Sequence, residues 1–254
     1  MRTRGLTPQQ LTHFADMGFI VLGGLVTPAR LQRLRTAVSA QLAAGAEPAE
    51  YEADLQYPGA PRSRAAAGGA TTRRLLQAYQ RDTQLRDWAT SPEVTAPLRQ
   101  LLGPRIALSQ VHHNCIMTKH PHFSSSTGWH QDIRYWAFQK PELVSVWLAL
   151  QAEFADNGCL AFLPGTHDLA LPPDRLDDSL FLREDHPQNR ALIASRVTPT
   201  LAPGDVVLFH CRTFHAAGSN RTDEVKLSVV FTYHSADNAA VPGTRSASLP
   251  SIEL

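Results

Sequence analysis

The chain has 254 residues, of which 43% are hydrophobic and 19% charged, and its formal net charge is +1. This composition is typical of a soluble globular protein, and the small net charge gives no electrostatic reason to expect nucleic acid or an anionic membrane surface as a partner. No apolar run reaches the roughly 18 residues of a membrane-spanning helix, and the first residues lack the apolar stretch of a secretory signal. The three cysteines form no CxxC pair, which favours a reducing cytoplasm with the thiols as small core residues.

The first part of the chain, residues 1–104, predicts mostly helices. Thr7 followed by Pro8 favours a helix start, and a strand-like run follows over 18–22. Apolar residues at helical spacing predict further helices over 28–44 and 91–102, the latter stopped by Gly103-Pro104. The segment 45–70, rich in Ala, Gly, Pro and Arg, predicts a loop on the surface or over the mouth of a site.

From residue 105 to 236 the pattern favours β-structure. Turn residues such as Asn157-Gly158 separate apolar and β-branched runs at 106–119, 143–150, 159–163, 206–210 and 226–234. Several short strands joined by hairpin turns predict a jelly roll or sandwich rather than a parallel sheet. We therefore expect one domain over 1–254, with a helical N-terminal part on a β core. An insertion at about 172–197 is expected to cover a face or gate a mouth, and 237–254 form a polar C-terminal tail.

Three side chains suggest a metal site. His130 and Asp132 in Gly-Trp-His-Gln-Asp are two apart, so in a strand they point to the same face. His215, after the apolar run 206–210, completes a set of two histidines and one carboxylate. That set is the facial triad of non-haem iron(II) oxygenases, which leaves coordination positions open for other ligands.

Other histidines compete for a place in this site. His210 lies five residues before His215, at the end of the same apolar run. His120 and His122 have the alternate spacing but no carboxylate beside them. The adjacent His112 and His113 face opposite ways in a regular strand, so at most one of them points inward.

Six segments of the chain, in order over roughly residues 6–235, resemble the phytanoyl-CoA dioxygenase family. They are Leu6–Gln10, Asp16–Leu22, Gly128–Tyr135, Asn157–Leu160, Leu163–His167 and Pro203–Asp205 with its following Phe209, His210 and His215. The resemblance implies a double-stranded β-helix core (a cupin-like jelly roll) with N-terminal helices packed on it. It also implies an iron(II)- and 2-oxoglutarate-dependent dioxygenase that hydroxylates a small molecule with dioxygen and releases succinate and CO2.

The resemblance also assigns the metal ligands. His130, Asp132 and His215 match the family triad, in which the later of the two downstream histidines binds metal. Halogenating relatives carry Ala or Gly in place of the carboxylate, so Asp132 favours hydroxylation or a related oxidation. His167 matches a structural position of the family.

The cosubstrate site departs from the family pattern. Lys226 stands eleven residues beyond His215, where the family usually has an arginine for the distal carboxylate of 2-oxoglutarate. Ser228 shares its strand face, and a basic residue and a hydroxyl two apart can hold one carboxylate together. The alternatives are a solvated Lys226, or Arg212 or Arg221 as the cation. Gln131 and Trp147 also match family positions near the cosubstrate, although Trp147 also fits a plain core position.

The substrate is less well defined by the sequence. Tyr135 follows the His-x-Asp motif, and Arg73 precedes the β core in a stretch that often borders the mouth in this family. Both are candidate substrate contacts, and a small polar or anionic metabolite is expected. Two other functions use the same triad: a non-catalytic cupin-like binding protein and a zinc-dependent hydrolase. The sequence gives no indication of oligomeric state.

Overall fold

In the part of the chain that the structure describes, the large sheet has nine strands and a second sheet has three. The computed structural model describes residues 5–55, 57 and 59–254. Its helices are α1 (Pro8–Met17), α2 (Pro28–Ala43), α3 (Ala78–Arg81), α4 (Thr83–Ala89), α5 (Pro92–Leu102) and α6 (Pro187–Ala194). Its strands are β1 (Phe19–Leu22), β2 (Ala49–Tyr51), β3 (Thr72–Leu76), β4 (Ile106–Leu108), β5 (Asn114–Lys119), β6 (Thr127–His130), β7 (Leu143–Ala149), β8 (Leu160–Phe162), β9 (Val206–His210), β10 (His215–Ala217), β11 (Lys226–Ser235) and β12 (Ile252–Glu253).

Both sheets are antiparallel. The large sheet runs in the order β1-β9-β7-β11-β5-β3-β2, with β4 paired to β11 and β12 paired to β4. The small sheet runs β6-β10-β8. Sheets built from antiparallel strands with crossovers of this kind form a jelly roll, so the predicted mainly β fold with N-terminal helices is confirmed.

Alternation along β11 divides the core into two layers. Val229, Phe231 and Tyr233 face the N-terminal helices, where they form one apolar cluster with residues such as Leu34 of α2. Val230 faces the other way, into a second cluster that includes Phe162 of the small sheet. Because successive side chains of a strand point to opposite faces, Lys226 and Ser228 of the same strand also point between the two sheets.

The N-terminal part contributes more than helices. β1 pairs with β9, and β3 pairs with β5, so both are strands of the main sheet. The segment predicted as a loop at 45–70 contains β2 and a 3-10 turn at Glu52–Asp54. Helices α3 and α4 were missing from the sequence prediction, because their short apolar pattern is interrupted at Asp82, the N-cap of α4.

Two further segments differ from a plain reading of the sequence. The predicted strand over 106–119 is broken into β4 and β5, and His113 between them has a φ of +36°. The C-terminal tail returns to the sheet, where β12 pairs with β4.

The insertion at 172–197 contains α6 and packs apolar side chains onto Trp129 of β6. In the part of the chain that the structure describes, no helix is both long and apolar enough to cross a bilayer.

Shortening a core residue of α2 is expected to destabilise the whole fold. Leu34 is fully buried against the large sheet, so Leu34→Ala should lower the free energy of unfolding by about 2–5 kcal/mol through lost contacts and a residual cavity. Denaturant unfolding followed by circular dichroism measures the change. Leu169→Ala, at a site that is 38% exposed, is the matched control and should cost much less. Equal effects of the two substitutions would contradict this packing arrangement.

Candidate functional site

The pairing of β6 with β10 brings two of the predicted metal ligands together. His130, the last residue of β6, is in register with His215, the first residue of β10. Their ring centroids are 4.3 Å apart. Oδ1 of Asp132 lies 3.8 Å from Nε2 of His130 and 3.6 Å from Nε2 of His215. The structure therefore places the three side chains of the triad around one point.

The local backbone differs from the prediction that His130 and Asp132 share a strand. β6 ends at His130, and Asp132 is the first residue of a 3-10 helix, Asp132–Tyr135. Gln131 between them remains extended, with φ −106° and ψ 136°. Because Gln131 is extended, the alternation of side chains continues for one residue beyond β6, and the side chains of His130 and Asp132 still point to the same side of the backbone.

Hydrogen bonds fix both imidazole rings. Nδ1 of His130 donates to the carbonyl of Gly128 at 2.8 Å, and Nδ1 of His215 donates to the carbonyl of Thr213 at 3.0 Å. With the proton on Nδ1, each Nε2 keeps its lone pair and faces Asp132. Burial lowers the pKa of His130 well below its usual value, and the neighbouring His215 adds to the effect. His130 is therefore a neutral imidazole, the form that binds metal.

Asp132 completes the donor set. The three side chains are buried, and one ligand atom from each lies within 4.8 Å of the others. Oδ2 of Asp132 is buried without a hydrogen-bond partner among the described residues. Two imidazoles and one buried carboxylate fit a divalent cation, and their facial arrangement suits iron(II).

His113, which the sequence offered only as a competing histidine, contacts Asp132 of this centre. Its Nδ1 lies 3.4 Å from Oδ2 of Asp132 and 3.2 Å from Oγ of Ser145. Burial lowers the pKa of His113 to about 4, so the ring is neutral at pH 7. The prediction treated His112 and His113 as residues of one regular strand, but the positive φ of His113 breaks the strand there. Both rings line the same cavity.

The other competing histidines lie away from the triad. The ring of His210 packs against that of His167, with centroids 5.6 Å apart, and His167 contacts the carbonyl of Ala15 at 3.0 Å. Neither His120 nor His122 belongs to a metal-binding cluster in the described part of the chain, where the triad is the cluster found. These placements agree with the ranking of His215 above His210.

The triad opens into a cavity of about 470 Å³ between the sheets. The buried end of this cavity is lined by buried and half-buried residues. The buried ones are Lys119, Trp147, Leu160, Phe209 and Lys226, and the half-buried ones are Met117 and Ala217. Exposed side chains, among them Tyr135, Arg245 and Leu249, line its open end. A cavity of this size is ordinary for a small-molecule site.

At the buried end, the predicted carboxylate-binding residues already hold a carboxylate of the protein. Glu153 is fully buried, and its Oε2 accepts from Nζ of Lys226 at 3.1 Å. Its Oε1 accepts from the hydroxyl of Ser228 at 2.6 Å and from the indole of Trp147 at 2.9 Å. The alternative that Lys226 is solvated is wrong, because Lys226 is buried in an ion pair. Lys226 and Ser228 hold one carboxylate together, and that carboxylate is Glu153.

Glu153 was not singled out from the sequence. Its one signal is an acidic residue four positions after the end of the apolar strand β7, which equally predicts an exposed turn. The tertiary structure places this position inside the protein, where the backbone of Glu153 pairs with that of Leu201.

The comparisons with known proteins agree with this site. The family profile of phytanoyl-CoA dioxygenase matches residues 14–228. The chain belongs to the phytanoyl-CoA dioxygenase family. It is 27% identical over 243 residues to the peroxisomal phytanoyl-CoA dioxygenase of Homo sapiens, covering 91% of this chain and 69% of that protein. The predicted class, a dioxygenase dependent on iron and 2-oxoglutarate, is confirmed.

Solved structures show the same fold. The non-haem α-ketoglutarate-dependent epimerase SnoN of nogalamycin biosynthesis is 26% identical, with a TM-score of 0.71 over 91% of this chain and 84% of that one. EctD from S. alaskensis, solved with 2-oxoglutarate and 5-hydroxyectoine, is 20% identical, with a TM-score of 0.76 over 95% of this chain and 80% of that one.

The remaining predicted site residues of this family member lie at different places relative to the cavity. Gln131 does not line the cavity, and its amide donates to the carbonyl of Arg212 in the loop that leads to His215. Arg73 lines the cavity, but its guanidinium is paired with Glu52 at 3.2 Å and donates to Thr127 at 2.8 Å. Tyr135 is 48% exposed at the open end.

Of the two downstream histidines, only His215 is expected to bind metal. His215→Ala removes one of three ligands and should weaken binding of iron(II) or cobalt(II) by more than about 100-fold, since even outer-shell partners account for roughly 10–100-fold. His210→Ala, at the other end of the same loop, is the control and should bind as the wild type does. Anaerobic titration calorimetry measures both. Loss of binding in the His210 variant alone would refute the assignment.

His113 is expected to position Asp132. His113→Asn tolerates the positive φ but loses the contact with Oδ2, so metal affinity should fall by about 10–100-fold while the melting temperature changes little. The same calorimetric titration, with a thermal melt as the measure of folding, tests this. Unchanged metal affinity would show that His113 serves the packing of Trp136 instead.

Proposed function

We propose that this protein uses iron(II) and 2-oxoglutarate to hydroxylate a small polar or anionic metabolite, with release of succinate and CO2. The observation that carries the proposal is the set of three fixed donors, His130, Asp132 and His215, exposed to one cavity. Family membership supports the cosubstrate. The retained carboxylate of Asp132 supports hydroxylation, since halogenating relatives lack it.

The three donors would hold iron(II), which, together with 2-oxoglutarate and dioxygen, supplies the oxidising power for C–H hydroxylation when bound. The protein supplies geometry. The carbonyls of Gly128 and Thr213 fix the two rings, and His113 contacts the free oxygen of the carboxylate. Ligand side chains fixed in this way would hold the metal beside the cavity that the three residues line.

The buried end of the cavity is the proposed cosubstrate site. Lys226 and Trp147 line it. Ser228 and Gln131 contribute indirectly: Ser228 hydrogen-bonds to Glu153, and Gln131 hydrogen-bonds to the loop that leads to His215. Ala217 also lines it, two residues after the distal histidine. Apolar walls with a few charged groups suit an aliphatic dicarboxylate.

The open end is the proposed substrate site. About 470 Å³ must hold both cosubstrate and substrate, which favours a small metabolite. Arg245 is exposed there, Tyr135 offers a phenol, and Arg74 is paired with Glu50 at 3.0 Å. Arg73 is already neutralised by Glu52, so its proposed role is to shape the wall rather than to bind an anion. Cationic and phenolic groups at the opening support a polar or anionic substrate.

We place the reaction in the cytoplasm. The three cysteines, Cys115, Cys159 and Cys211, are buried and free. Free buried thiols are usual in a reducing compartment.

Anaerobic titration of the iron(II) protein with 2-oxoglutarate should give a weak visible charge-transfer band, and admission of dioxygen should then give succinate. Candidate polar and anionic metabolites that are substrates should increase succinate formation and appear in hydroxylated form by mass spectrometry. Asp132→Ala is the control and should give neither band nor succinate. A wild-type protein that binds iron(II) but shows no band at saturating 2-oxoglutarate would overturn the proposal.

A further inference from the structure

Among the described residues, four basic side chains with limited exposure line the cavity, and three of them have a carboxylate partner. Arg73 pairs with Glu52, Arg74 with Glu50 and Lys226 with Glu153. The fourth is Lys119, which is 8% exposed. Within the described residues, its ammonium has one hydrogen bond, to the carbonyl of Ser125 at 2.9 Å, and no ion pair.

Lys119 lies directly beside Lys226. The two residues are in register across β5 and β11, and both reach the buried end of the cavity. Like charges opposite each other on neighbouring strands are unfavourable, and a buried ammonium without a counter-ion is more so. With both lysines protonated, the cluster of Lys119, Lys226 and Glu153 therefore has two positive charges and one negative charge, a net charge of +1.

Glu153 cannot easily release Lys226 to an incoming ligand. Both of its oxygens are occupied, one by Lys226 and the other by Ser228 and Trp147. The ammonium of Lys226 also lies 5.0 Å from the centre of the Trp147 ring. Separating a fully buried carboxylate from its cation would leave an uncompensated charge in the interior.

We propose that Lys119 binds the distal carboxylate of 2-oxoglutarate and that Glu153 keeps Lys226 as a permanent internal ion pair. The proposal rests on the cosubstrate assignment above and adds the residue that recognises the carboxylate. A single anionic group at this end makes the cluster neutral. The same group beside Lys226 and Glu153 alone would leave a buried negative charge. Lys226, at the position where the family usually has an arginine, therefore has a structural role in this chain. Lys119, on the neighbouring strand β5, recognises the distal carboxylate instead.

Two ligands of equal chain length separate the roles of the lysines. 2-Oxopentanoate lacks the distal carboxylate of 2-oxoglutarate, so the ratio of the two dissociation constants measures recognition of that group. The ratio is determined by anaerobic calorimetry on the iron(II) protein, without turnover. In the wild type it should be at least about tenfold, the value of one charge-assisted hydrogen bond.

Lys119→Met should reduce this ratio to near one, and its melting temperature should be maintained or raised because a buried charge is removed. The paired variant Glu153→Leu with Lys226→Met removes the whole internal ion pair, a change that buried pairs often tolerate. It should keep the preference for 2-oxoglutarate. The exposed Lys140→Met is the control and should match the wild type. If Lys119→Met does not fold, Lys119→Gln serves in its place.

The opposite pattern overturns the inference: a preserved ratio in Lys119→Met and a lost ratio in the paired variant would make Lys226 the recognition residue. Failure of the cosubstrate assignment looks different, since the wild type would then bind neither ligand at the iron(II) centre.

The pH dependence gives a second readout. Lys119 faces Arg73, Lys226, Glu52 and Glu153, and burial, assisted by the two cations, lowers its pKa to about 7. An anion binds the protonated form, so the affinity of the wild type for 2-oxoglutarate should decrease by up to about tenfold per unit as pH rises above 7. Lys119→Arg stays charged and should show a flat profile with the ratio retained. A wild-type profile that is also flat between pH 6 and 9 would contradict the role of Lys119.

Discussion

The register between β6 and β10 is the constraint on which the site depends. It sets His130 opposite His215, so that two imidazoles from positions far apart in the sequence lie side by side. The backbone carbonyls of Gly128 and Thr213 then fix both rings. A shift of one residue in either strand would turn one imidazole to the other face of the sheet. The metal centre is therefore a consequence of strand pairing, and the rest of the fold holds that pairing in place.

Buried charge is the second organising feature. The cavity between the sheets is lined by basic residues that would be costly in an apolar interior. Acidic partners from the N-terminal segment and from the turn after β7 neutralise most of them. Glu52 and Glu50 come from the segment that the sequence predicted as a loop. That segment is thus part of the wall of the site, because its carboxylates pair with arginines of β3.

Much of the fold and of the metal centre could be predicted from the sequence. Helices α1, α2 and α5 follow from their caps and apolar spacing, and the long strands follow from β-branched runs. The triad follows from local spacing and from family resemblance. What could not be predicted depends on long-range pairing. His113 reaches Asp132 only because the chain turns at a positive φ between β4 and β5, and no local pattern predicts that turn.

Sequence by itself determined the class of chemistry, because the His-x-Asp spacing with a later histidine indicates a metal site and the family resemblance implies an iron(II) oxygenase. Only the tertiary structure decided which charges neutralise one another. Lys226 and Ser228 have the spacing of a carboxylate-binding pair, and the structure shows that the carboxylate is that of Glu153. Lys119 carries no signal in the sequence, yet strand register places it beside Lys226 without an ion-pair partner among the described residues. The physical reason is that the energy of a buried charge depends on its neighbours in space, which the order of residues does not specify.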